Sequence, residues 1–156
     1  MPYSAAKIAN QMLGLARDKG EEITPLKLLK LVYIAHGWSF PYLHEPLLAE
    51  PAQAWQYGPV VPSLYRAVSK FRAGPITEFV PDTDPQALSE PAIALIQSVY
   101  ETYSGYSGTQ LSNMTHMPNT PWSEAWNSHG KNAIIPNDRI AAHYQNLLET
   151  RGQPAA

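Results

Sequence analysis

The run from Thr24 to Gly37, Thr-Pro-Leu-Lys-Leu-Leu-Lys-Leu-Val-Tyr-Ile-Ala-His-Gly, constrains the fold more than any other stretch of this chain. Thr24 offers the hydroxyl of an N-cap and Pro25 suits a first helical turn, so a helix starts here. Leu28, Leu29, Leu31, Val32 and Ala35 spread over more than half of its circumference. A helix apolar on most sides must be covered on most sides, which makes 24–37 the expected central, buried helix. It is expected to fade between Gly37 and Tyr42.

Fifteen prolines and nine glycines divide the remainder into short pieces. Residues 4–18 predict a first helix with Ser4 as N-cap, Ile8, Met12, Leu13, Leu15 and Ala16 as its apolar positions, and Gly20 as its stop. Residues 44–61 are expected to be irregular, because Pro46, Pro51 and Pro59 prevent a long element, with a tight turn at Gly58-Pro59. Further helices are predicted over Pro62–Arg72, Ser89–Ser104, Ser107–His116, from Thr120-Pro121 to Gly130, and from Asn137 onward. Ile76–Val80 reads as a brief extended segment, and Pro81–Pro85 as a surface loop in which Asp82 and Asp84 are solvated charges, as are Glu21 and Glu22 in their turn. The fold class is mainly α: a compact single-domain helical fold over 4–150, with at most a short β element. Residues 151–156 form a flexible tail, frayed from Gly152. Helices this short are marginal alone and take their stability from packing on the central one.

Only 15% of the 156 residues are charged, the net charge is −2 and no long Lys/Arg stripe occurs, which argues against generic binding to a phosphate backbone. Cysteine is absent, which removes thiolate nucleophiles, thiolate zinc sites and disulfides. The start of the chain lacks a signal peptide's basic and apolar regions, and no apolar run reaches bilayer length. A soluble cytoplasmic protein without membrane contact is the expectation.

No catalytic constellation stands out. His116 has Ser112 and Thr115 nearby, but the glycine-rich elbow or oxyanion loop of a serine hydrolase is missing. Its expected role is a hydrogen bond within the turn leading to Pro118, which helps to fix the Trp122 helix. His36, His44, His116, His129 and His143 are scattered singly rather than at metal-ligand spacing. Gly105-Tyr106-Ser107-Gly108 lacks the lysine of a phosphate loop. Catalytic, metal and cofactor residues are therefore all expected to be none. Lys27 and Lys30 interrupt the leucines of the central helix; their stems are expected to lie on apolar surface with the amines in water. The four tryptophans carry more. Trp122 and Trp126, four apart, share a helix face, one at the core and one at its rim. Trp55 and Tyr57 flank the turn, where packing over the central helix and partial exposure at an interface both remain open.

Four blocks resemble the Panacea domain family: Ile23–Tyr33; Ala-Trp-Gln-Tyr-Gly-Pro-Val-Val-Pro-Ser-Leu-Tyr over 54–65; Leu111–His116 followed by Pro121–Ala125; and Ile135–Tyr144. Their order and spacing extend the resemblance from about Ser4 to Leu148. Gln53 and Lys27 depart from the family pattern of Glu and Gln, a difference that bears on partner preference rather than fold. The resemblance implies a phage-associated, antitoxin-like protein that is not an enzyme and neutralises a cognate, co-encoded toxin by direct protein–protein contact. It implies Trp55, Tyr57, Tyr65, His116 and Trp122 as candidate partner-binding residues and no catalytic ones. Some family members act as adaptors that deliver a toxin to an ATP-dependent protease, which is the alternative reading here. A small hydrolase using His116 is a third. No appended DNA-binding segment is evident, so direct contact with nucleic acid is not expected.

Overall fold

The computed structural model describes residues 2–151. At its centre lies α2 (Pro25–Leu43), packed against α1 (Ala5–Asp18), α3 (Pro62–Val68), α4 (Glu90–Tyr103), α5 (Gly108–Thr115) and α7 (Asn137–Arg151). A sixth helix, α6 (Pro121–His129), packs on a small antiparallel sheet. That sheet consists of β1 (Ala52–Trp55), β2 (Gly58–Val60) and β3 (Ala133–Ile135), in the order β2-β1-β3. The fold is mainly α, and α2 is its core: Leu28, Leu31, Val32, Ile34, Ala35 and Trp38 are inaccessible to solvent.

Short polar caps start the helices. Ser4, Thr24, Ser89, Ser107 and Thr120 each accept a hydrogen bond from a backbone N–H of the first turn. Gly37 does not stop α2, which continues through Pro41 and ends where His44 takes the left-handed conformation, φ 60°. The extra turns follow from α7. The Tyr144 ring lies so close to Gly37 that a Cβ there would sit 2.2 Å from it. The glycine is thus a point of close helix approach.

Residues 44–61 are not irregular throughout. Trp55 pairs with Gly58, which leaves Gln56 and Tyr57 as the hairpin loop, so the turn falls two residues before the expected Gly58-Pro59. Gly58 supplies the positive φ, 118°, and Pro59 is tolerated because β2 is an edge strand. Ile76–Val80 joins no strand. It is tied down by single bonds instead: Ile76 N donates to Ile23 O, and the Asn10 side chain bonds Val80 in both directions.

Asp82 and Asp84 are not free solvated charges. Ser4 Oγ donates to Asp82 (2.7 Å), Ser4 N donates to Asp84 (3.0 Å), and Lys7 pairs with Asp82 at 3.1 Å. The proline-rich loop therefore presents carboxylates to the positive end of α1. Desolvation works to raise the Asp82 carboxyl, but the bonds from Ser4, the Asp84 backbone and Lys7 hold it below its ordinary value. Glu21 likewise has a partner, accepting a bond from the Tyr100 hydroxyl at 2.6 Å. The tail from Gly152 lies outside the described residues.

His36 joins α2 to two later segments. Leu48 N donates to Nδ1 (3.2 Å), so the ring proton resides on Nε2 and is donated to Asn137 Oδ1 at the start of α7 (3.1 Å). Burial lowers the imidazole pKa from 6.5 to about 4, against the opposing effect of Asn137. The unfolded chain therefore binds the extra proton first, and stability present above pH 6.5 is lost as pH falls toward 4. The loss expected across that window is about 3 kcal/mol. Urea unfolding at neutral pH and near pH 5 should show about 2 kcal/mol of it in the native protein and much less in His36→Asn.

Candidate partner-binding site

The β1–β2 hairpin lies over α2 and α5, and the contacts beneath it are polar and specific. Ser112 Oγ donates to Tyr57 O, and Trp122 Nε1 donates to Trp55 O at 2.7 Å. Lys30 Nζ donates to Pro59 O at 3.0 Å. Each backbone carbonyl named is thereby held by a side chain from a different helix.

All five sequence candidates converge on this hairpin, in two distinct settings. Trp55 meets Tyr65 edge-on, with ring centroids 4.9 Å apart. Tyr57 is 64% exposed at the hairpin tip and Tyr65 is 41% exposed. These three line one side of a cavity of about 480 Å³. Trp122, by contrast, is buried, with His116 edge-on at 5.2 Å and Trp126 stacked on it at 5.2 Å. His116 and Trp122 thus support the hairpin from below, while Trp55, Tyr57 and Tyr65 line the cavity. Trp122 at the core and the half-buried Trp126 at its rim match the expected division of that pair.

The His116 Nδ1–H donates to the Ser112 carbonyl, while the Ser112 hydroxyl is directed to Tyr57 O. The two side chains are therefore not bonded to one another as a nucleophile and its base would be. No cluster of three metal-ligating side chains occurs among the described residues. No helix among them is long and apolar enough to cross a membrane.

The site also contains residues that the sequence reading placed elsewhere or did not single out. Leu26, Leu29 and Lys30 of α2 line the same cavity, as do Gln56, Lys131 and Asn132. Lys30 is the main correction: its amine does not reach water but is completely buried, with Pro59 O as its acceptor. Desolvation lowers its pKa from 10.5 to about 7. Lys27 is corrected too, since its amine donates to Ser104 O beyond the end of α4. The signal for Lys30 lay in its position. Leu28, Leu29, Leu31 and Val32 surround it on a helix apolar on most sides, which leaves a lysine little surface to follow out to solvent.

Antitoxin SocA of Caulobacter vibrioides (strain NA1000 / CB15N) is 38% identical over 65 residues, covering 42% of this chain and 35% of that protein. The match thus spans little more than a third of that relative's length. No solved structure matches the chain. Residues 28–123, a stretch that includes Lys30, the hairpin, His116 and Trp122, match the family described as "Antitoxin SocA-like, Panacea domain", and the chain belongs to that family.

Proposed function

We propose that this protein is a cytoplasmic antitoxin that neutralises a co-encoded protein toxin by direct contact through the hairpin face. The observation that carries the reading is the pairing of an exposed Tyr57 and Tyr65 with a half-buried Trp55 around one cavity, on a hairpin held from beneath by Lys30, Ser112 and Trp122. Exposed aromatics on a rigid support make good interface anchors, because they bury large area and lose little side-chain freedom. A stable complex would cover about 800 Å² per partner, which extends well beyond the cavity.

Co-expression with the neighbouring gene tests the proposal. The neighbour alone should arrest growth; this protein should restore it and be recovered in complex with the neighbour. The double substitution Tyr57→Ala/Tyr65→Ala should weaken the complex by about 2 kcal/mol or more, with little change in melting temperature, because both rings are substantially exposed. Rescue by the double variant at full native affinity would reject the hairpin face, and a neighbour that is harmless alone would reject the pairing.

A further inference from the structure

We propose that the cavity between α2 and the β1–β2 hairpin is a carboxylate-binding anchor point, which takes one Asp or Glu side chain of the toxin. Lys30 and Lys131 meet the carboxylate, and Trp55, Tyr57 and Tyr65 cover the apolar groups that flank it. This deepens the antitoxin reading and rests on it for the identity of the partner.

Charge distribution is the first argument. The chain carries a net charge of −2, yet two of the residues lining this cavity are lysines and none of the lining residues is acidic. Neither lysine forms an ion pair with a carboxylate among the described residues. The side-chain amides of Gln56 and Asn132, also in the lining, add neutral donors. The site is cationic and apolar together, and a carboxylate set among apolar groups complements both properties.

The second argument is the state of Lys30. An ammonium has three N–H donors, and here one acceptor, Pro59 O, is hydrogen-bonded to a fully buried amine. Burial without a countercharge pulls its pKa to about 7. An arriving carboxylate supplies that countercharge and returns the amine to its charged form. Lys30 is one of the residues lining the cavity, and binding requires its amine to exchange Pro59 O for the carboxylate. Gly58 keeps the hairpin thin over this point: a Cβ there would lie 3.0 Å from Lys30 Nζ.

A short peptide tests the site without the toxin. Acetyl-Leu-Glu-Leu-amide and its Gln counterpart are titrated into the full chain, following the Trp55 indole N–H by NMR and the heat of binding in buffers of different ionisation enthalpy. The Glu peptide should shift the Trp55 signal and saturate in the millimolar range, with the Gln peptide at least about tenfold weaker. At pH 8 Glu-peptide binding should take up a proton, because most of the Lys30 amine starts neutral there. Lys131→Glu should abolish the preference for Glu while the exposed site leaves folding unchanged, and Lys30→Met should abolish the proton uptake. Equal binding of the two peptides, or no shift at Trp55 with either, overturns the carboxylate site. Growth rescue that persists after such a result leaves the antitoxin reading in place; a failed rescue with the Glu preference intact removes that reading alone.

Discussion

Lys30→Met should make the free protein more stable and a poorer neutraliser. In the unfolded chain the lysine is solvated and charged, with a pKa of 10.5; in the folded protein desolvation lowers this to about 7. Folding at pH 7 therefore includes an unfavourable contribution of about 4 kcal/mol from this one side chain. Methionine fills a similar volume without that penalty, although it leaves Pro59 O without its donor, a loss of about 1–3 kcal/mol. The balance is a gain of about 1–3 kcal/mol, at about 2–4 °C of melting temperature per kcal/mol for a chain of this size.

The sign of the pH dependence separates this cause from simple repacking. Between pH 7 and 10.5 the unfolded chain binds the proton that the folded protein has released, so the native protein gains stability as pH rises. Lys30→Met lacks that gain. Its advantage at pH 7 should shrink steadily and reverse by about pH 10.5, where the unfolded lysine also loses its proton and little besides the lost hydrogen bond still distinguishes the two. The buried Tyr33 and Tyr144 hydroxyls, raised by desolvation, are common to both proteins and cancel from the difference. Guanidinium unfolding at the two pH values checks this, and parallel stabilities would mean that the Lys30 amine keeps its charge in the fold. If the variant is more stable and yet rescues growth less well, recognition and stability are separated at a single residue.

The contrast between Lys30 and its neighbours shows how far this chain could be read from its sequence. Helix starts were legible because capping is local: Thr24, Ser4 and Thr120 act within three residues of themselves. The burial of α2 was legible because a helix apolar on most sides has one way to be satisfied. The aromatic convergence on the hairpin came through the family blocks, although no spacing rule would separate the exposed Tyr57 from the supporting Trp122. What stayed hidden depends on distant partners. Strand β3 exists because Ala52–Ala54 offers it a ladder some 80 residues away in sequence. Asp82 and Asp84 looked like loop charges until Ser4 came within reach. Lys131 joins the cavity only after β3 has docked beside β1.

Gly37 is the sharpest case of a distant partner overriding local preference, and Gly37→Ala is the substitution expected to do the most damage. Helix propensity alone predicts a gain of about 1 kcal/mol, since the site lies inside α2 and alanine is the better helix former. The added methyl, however, would lie 2.2–2.5 Å from three atoms of the Tyr144 ring. That ring is 1% exposed and edge-on to Trp38 at 5.0 Å, so it has no free space to rotate into. The remaining response is to push α7 outward, at a cost of about 3 kcal/mol or more. A melting temperature lower by roughly 6–12 °C follows. Tyr144→Leu removes the obstructing ring edge: alone it should destabilise by leaving a cavity, yet in the Gly37→Ala background it should recover part of the loss. A double-mutant cycle with that favourable coupling would locate the clash at this pair; strict additivity would place the damage elsewhere. Displacing α7 also strains Asn137, which accepts from His36, and β3, which precedes α7 and directly follows the cavity residues Lys131 and Asn132. Neutralisation by Gly37→Ala should therefore fall with the folded fraction and recover on cooling, whereas that of Lys30→Met should stay weak at any temperature at which the protein is folded.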